Sequence, residues 1–271
     1  MKKSLFLTVF MVAFFTCFSQ KAKKEKVYDK VYFKITNAEA GDVQFKIDDA
    51  VAVNDEFKLK LVINNASGDY YIFKTNECVL LMGGQEYKCT EKQLTLDPGE
   101  KDYKVINFAG KDFNKYHQFT LKIGGLYKAT SQGSVMDGPP FDLPPLKTFF
   151  QAGPFKYELK TDKRTSSGSN FTFDVTYIGD QVGIIRPVFT SLKMPTGNEF
   201  QNEVSSKKSL VLEHNETGKL KMQWTAVSRK EGDQQYCKMQ LIWHETAMES
   251  PKDKQPETSI FVDWDEERTT N

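Results

Sequence analysis

The chain reads as an all-β protein in which one module is used twice, and three observations carry that reading. Apolar and polar residues alternate over runs of about four to eight positions, the period of a half-buried strand. Phe119, Leu121 and Ile123 fall on one face while Thr120 and Lys122 fall on the other. Turn signals such as NNASGD, MGG, DPGE, MPTGN and HNETG punctuate these runs, and no long stretch sets apolar residues at helical spacing.

The third observation is self-similarity in a fixed order. EFKLKLVI (Glu56 to Ile63) aligns with NFTFDVTY (Asn170 to Tyr177), so Phe57, Leu59, Leu61 and Ile63 are answered by Phe171, Phe173, Val175 and Tyr177. LLMGGQEY aligns with LKMPTGNEF, and LTLDPGE (Leu94 to Glu100) with LVLEHNE (Leu210 to Glu216). Ile106 and Phe108 match Met222 and Trp224, and HQFTLKI (His117 to Ile123) matches CKMQLIW (Cys237 to Trp243). TFFQ (Thr148 to Gln151) is then set against SIFV (Ser259 to Val262), and the offset stays between 111 and 120 residues. Two tandem antiparallel β-sandwiches follow, immunoglobulin-like in size and strand count, over 20–152 and 153–271. Their expected joint is Gln151-Ala152-Gly153-Pro154, where few contacts should cross. A small barrel per repeat, or one larger fused sandwich, is the alternative.

The strand order and the apolar-x-apolar opening that runs into NN-x-S/T-x-D resemble those of uncharacterised exported bacterial envelope proteins with tandem immunoglobulin-like domains. The resemblance spans both repeats and rests on strand and turn patterns. It implies a fold and a compartment, and it brings no catalytic residue with it.

The first nineteen residues predict export. Lys2 and Lys3 precede an apolar run from Leu5 to Phe15, and small or polar residues follow. That is the form of a cleaved signal peptide, too short to span a bilayer, with cleavage after Ser19. Cys17 as a lipid acceptor is the alternative, but Phe14-Phe15-Thr16 lacks the small residue expected just before it. No other apolar stretch is long enough to span a membrane, so the expected compartment is periplasmic or extracellular. Without Lys2 and Lys3, the 37 basic residues fall to 35 against 36 acidic ones. A balance so near neutrality gives no electrostatic case for nucleic acid. The basic run at 21–26 reads as a solvated terminus.

Cys78 and Cys89 lie at equal distances from Gly83-Gly84. A two-residue Gly-Gly turn pairs Met82 with Gln85, Leu80 with Tyr87 and Cys78 with Cys89, within reach of a disulfide. An exported context favours oxidation, so a 78–89 bridge is expected. The second repeat has Thr190 and Asn202 at these places, which makes the bridge a local staple. Two cysteines supply half a zinc set, and redox dithiols use closer spacing. Cys237 shares a strand face with Met239, Leu241 and Trp243 and reads as an inert thiol.

No catalytic, metal or cofactor site is nominated. His117 falls on the apolar face of its strand, His214 in the turn HNETG, and His244 beside Glu245 and Met248 at a strand end. There is no nucleophile elbow, zinc helix, phosphate loop or dinucleotide fingerprint. DWDEE (Asp263 to Glu267) lacks the spacing of a calcium loop and reads as a solvated tail. The sequons at Asn65, Asn170 and Asn215 fit turn and strand-start chemistry.

What remains is surface for binding. The proline-rich segment from Thr130 to Thr148 carries Val135, Met136, Phe141, Leu143 and Leu146. Long loops of this kind are disproportionately functional, and their apolar residues need a cover. Val79 and Leu81, on the face away from the predicted core, need one too; the loop, the N-terminal strand KVYFKITN or a partner could supply it. The expected function is a non-enzymatic interaction or structural module of the cell envelope that meets a protein partner. The alternative is a glycan or small-ligand binder using Tyr70, Tyr71, Phe113, Tyr116 and Phe141.

Overall fold

The computed structural model describes residues 26–271 except 205, 206 and 226. The expected leader, Cys17 and most of the basic run lie outside the described residues. Among them the fold is all-β, antiparallel throughout, in open sheets with no barrel.

In the first repeat, β1 (Val31–Tyr32) and β2 (Thr36–Ala40) both pair with β3 (Val43–Ala52), which pairs with β4 (Glu56–Asn65). β4 shows why the sequence chooses a strand: Phe57, Leu59, Leu61 and Ile63 are fully buried and their neighbours are not. After β5 (Tyr70–Phe73) comes the hairpin of β6 (Val79–Met82) and β7 (Gln85–Lys88). Then follow β8 (Leu94–Leu96), β9 (Lys101–Ala109), β10 (Gln118–Ile123) and β11 (Leu126–Ala129). β9 returns to β4 and closes the first layer, while β6 pairs with β10 and β5 with β8 and β11 in the facing layer.

β12 (Ser134–Leu143) and β13 (Phe149–Ala152), still within 20–152, lead into the second repeat. Next come β14 (Phe155–Arg164), β15 (Ser169–Tyr177), β16 (Val182–Ile185), β17 (Thr190–Lys193) and β18 (Glu199–Gln201). β19 (Leu210–Leu212), β20 (Thr217–Trp224) and the long β21 (Met239–Ser250) complete it, and β22 (Lys252–Lys254) and β23 (Thr258–Asp263) end the chain's strands. One layer runs β13-β14-β15-β20; the other is β18-β17-β21-β16-β19 with β12 added at β21.

Each repeat has its own core. Phe33, Phe57 and Phe119 meet edge to face in the first, at 4.8 to 5.5 Å between centroids. In the second, Trp243 sits among Phe150, Tyr157 and Phe173. A third cluster draws Tyr70, Ile72 and Ala129 from one repeat and Val182, Ile184, Val211 and Met248 from the other.

The repeats also exchange strands. β12 leaves the first repeat and pairs with β21, placing Phe141 opposite Leu241 and Leu143 opposite Met239. In return β22 pairs with β11 and β23 with β10, placing Ile260 opposite Leu121 and Val262 opposite Phe119. Strand pairing therefore crosses the joint at 151–154 in both directions. The equivalent of Ile260-Phe261-Val262 is Phe141-Asp142-Leu143, at an offset of 119 residues. Thr148 to Gln151, matched to that segment on sequence, instead leads into β13 in the opposite layer.

The β6–β7 hairpin has the expected register, Met82 against Gln85 and Leu80 against Tyr87. Gly83 and Gly84 have φ of 60° and 77°, as a type I′ turn requires. A Cβ on Gly83 would also lie 2.2 Å from the Tyr116 ring. The expected disulfide is corrected: Cys78 and Cys89 are both buried and unbonded. The Cys89 thiol donates to the Thr75 carbonyl at 2.8 Å, a contact that needs the proton a disulfide removes. Burial, then the neighbouring Cys89 sulfur, pushes the Cys78 thiol up to about 12.

Candidate binding groove

The outer face of the layer β13-β14-β15-β20 holds a groove lined by aromatic, charged, hydroxyl and amide side chains. Its rows follow from register. Phe149 on β13 lies opposite Glu158 on β14, then Asp174 on β15 and Lys219 on β20. Gln151, Lys156, Thr176 and Thr217 form the next row. Because strand side chains alternate, the residues between them, Phe150, Tyr157 and Val175, face the core. Phe150 and Tyr157 stack there at 4.5 Å and fix the strands beneath the groove.

The groove encloses about 770 Å³. Its floor is tied together by polar contacts. Lys219 pairs with Asp174 at 2.9 Å, and Lys160 lies between Glu158 and Asp174 at 2.5 and 3.9 Å. The hydroxyls of Thr176 and Thr217 are 2.8 Å apart. At the rim the Phe149 side chain is 68% exposed and Leu146, three residues earlier, is 96% exposed. The Leu159 N–H bonds the Thr148 carbonyl at 2.7 Å and anchors the rim to β14. The site thus offers one aromatic face, an aliphatic neighbour, ion-paired carboxylates, a pair of mutually bonded hydroxyls and the Gln151 amide, which donates to the Gly153 carbonyl.

The residues expected to contact a partner divide. Phe141 and Leu143 are core residues of the second repeat, so β21 supplies the cover that a partner was expected to give. Met136 is partly buried against the same core, near Gly153. Val135 is partly exposed and Leu146 almost wholly so. Val79 and Leu81 are half-buried on the outer face of β6, where Lys122 reaches past them to Glu86 at 3.7 Å. The loop goes to the other repeat and the N-terminal strands to the opposite layer, so neither lies over this face. Of the aromatics considered for a glycan, Tyr70, Tyr71, Phe113 and Phe141 are buried.

The remaining candidates take structural places. His117 stacks on Trp264 at 4.1 Å and is half-buried, short of a core position. His214 bonds the Gly179 carbonyl. His244 meets Glu199 at 2.7 Å, first among the causes that hold the Glu199 carboxyl below its ordinary range. Glu245 sits at φ 46° beside it and Met248 is buried away from both, and no cluster of metal-ligating side chains occurs among the described residues. Asn65 is buried with its amide bonded to the Asp69 and Asp97 carbonyls, a turn role. The acidic tail is ordered: Asp265 caps the helical turn α1 (Glu266–Thr270), which docks on Tyr32 through Thr269. Cys237 is half-buried beside the second core.

No protein-family model and no curated protein sequence matches the chain. Among solved structures it is similar to red sea bream transglutaminase, at 9% identity and a TM-score of 0.19, over 72% of this chain and 27% of that one. It is also similar to the GH31 alpha-xylosidase of Xanthomonas citri, at 7% identity and a TM-score of 0.17, over 86% of this chain and 32% of that one. The chain spans about a third or less of each of these proteins. Similarity at this level carries no argument about activity.

Proposed function

We propose that the protein is an exported, non-enzymatic interaction module of the cell envelope, with the Leu146–Phe149 rim as its contact element. The observation that carries this reading is the pair of protruding apolar side chains on a connection pinned at both ends by β12 and β13. Apolar groups held in water on a rigid frame lose little freedom on docking and gain from burial. Tandem sandwiches after an expected leader suit the compartment.

The test is affinity capture of the full chain from its native envelope, in parallel with a Leu146→Ser/Phe149→Ser variant. The native chain should retain a protein that the variant loses, with a weakening of about 1–3 kcal/mol at the rim. Identical captures from both chains would remove the rim from the reading.

A second reading has its own support. Phe149 stands over a floor of Lys156, Glu158, Asp174 and Thr217, an aromatic face above hydrogen-bonding groups, which suits a neutral oligosaccharide. Titration with soluble oligosaccharides, lost in Phe149→Ala, would favour glycan over protein.

A further inference from the structure

The exchange of strands between the repeats makes the β10–β11 edge an acceptor for an extended peptide. With β22 and β23 removed, β10 keeps only β6 as a neighbour and β11 keeps only β5. The segment that fills this edge pairs through six consecutive positions, from Gln118 opposite Asp263 to Ile123 opposite Thr258. Recognition by such an edge combines main-chain hydrogen bonds with pockets for alternate side chains. Here the pockets take Ile260 and Val262, which lie in the first core, while Phe261 between them faces out.

Several features mark this occupant as exchangeable. The same edge is offered twice, on β10–β11 and on β21, and is filled both times by an apolar-x-apolar strand from the other repeat. The crossing into the acceptor is made by Pro251 alone, between Ser250 and Lys252. Every residue of β22 is exposed, so that part of the segment is held by backbone pairing and by surface contacts of Lys252 and Lys254 with Glu213, Glu77 and the Tyr127 ring, without core burial.

We propose that a second copy of this chain can occupy the β10–β11 edge with its own 252–264 segment, giving a strand-exchanged assembly. Each pair made in the monomer is made again between copies, with the same register and the same buried side chains. Exchange of an identical element is a low-cost route to association for this reason. What holds the monomer is the effective concentration of a segment tethered one residue away, so raising the protein concentration shifts the balance towards exchange.

The test uses the full chain and the outward-facing pair Thr120 and Phe261, directly opposed across β10 and β23. A chain carrying both Thr120→Cys and Phe261→Cys should close on itself when oxidised, with the 120–261 link identified by peptide mapping. Failure to close would overturn the pairing and the proposal with it. Chains carrying Thr120→Cys alone are then mixed with chains carrying Phe261→Cys alone, incubated over a range of concentrations and oxidised. The expected product is a 120–261 linked dimer that increases with concentration. Its yield should be severalfold above that from Thr120→Cys mixed with Leu146→Cys, which reports random collision of exposed thiols. A yield no higher than this control would overturn the proposal. Loss of the rim's binding in the Leu146→Ser/Phe149→Ser chain would leave this result unaffected.

Discussion

The two repeats build the same hairpin corner with different chemistry. In the first, a single 3₁₀ turn (Thr75–Glu77) leads into Cys78, and the Cys89 thiol donates to the Thr75 carbonyl at 2.8 Å. In the second, the turn Pro187–Phe189 leads into Thr190, and Asn202 donates its amide to the Pro187 carbonyl at 3.0 Å. Thr190 adds its hydroxyl to that carbonyl at 2.7 Å. The corner thus requires a buried donor aimed at the first carbonyl of the turn, and a thiol meets the need as an amide does. At Cys89 the sulfur serves the corner as a hydrogen-bond donor.

The same contrast recurs one strand later. Asp97 and Glu213 are equivalent, and the N–H of each is accepted by a glutamate three residues on, Glu100 and Glu216. Yet their carboxyls shift in opposite directions. Burial dominates at Asp97 and pushes it up, although the Ser209 N–H bonds it. Burial also raises Glu213, but Lys252 and Lys74 together outweigh it and hold the group down. Equivalent positions here differ in sign because the neighbouring repeat supplies the surroundings.

The largest effects should come from the exchanged strands. Phe141→Ala is expected to cost about 3–5 kcal/mol and Ile260→Ala about 2–5 kcal/mol in urea denaturation. Both should act on one shared transition, since each side chain belongs by sequence to one repeat and by packing to the other. Two separate transitions would break the coupling. Next, Asn202→Ala removes a donor and also the oxygen that accepts from Val204 and Gln223, and should cost about 2–3 kcal/mol. Cys89→Ala removes one thiol donor and should cost about 1 kcal/mol, and equal losses would contradict the comparison.

The carboxyl pair sharpens it with pH. Glu213 titrates lower in the folded chain than its ordinary 4.5, so its contribution is present above that value and lost as pH falls through the folded one. Glu213→Gln should therefore lose about 1–2 kcal/mol near neutrality and little in acid. Asp97 titrates higher when folded, so its contribution is present in acid and lost as pH rises through the folded value. Asp97→Asn should hold or raise the melting temperature at pH 7 and lose that advantage below pH 4. Smallest of all, Leu146→Ser/Phe149→Ser should change stability by no more than about 0.5 kcal/mol.

Alternation made the strands legible, and the repeat alignment places nearly all of them. What it could not show was which edge each strand joins, since a period of two assigns faces and says nothing of neighbours. Phe141-Asp142-Leu143 reads as loop because prolines surround it. In the structure Pro139 and Pro140 fall where the register shifts between Gly138 and Phe141, so no ladder bond is lost to them. The rim was within reach of the sequence: in Phe149-Phe150, two adjacent aromatics on a strand must face opposite ways, so one has to meet solvent. The floor of the groove was not, because Glu158, Asp174 and Thr217 become neighbours only through register.

The docking of α1 on β1 has a mechanical consequence. Phe33 bridges Trp264, the Asp265 N–H bonds the Tyr32 carbonyl, and Arg268 lies over the Tyr32 ring at 4.5 Å. A pull applied between residue 31 and residue 269 is therefore borne first by this small clasp. The second repeat, although it lies between those residues in sequence, carries no load until the clasp opens and β23 peels from β10. The chain behaves as a closed loop with its fastener on the first repeat, and the groove stays unstrained while the fastener holds.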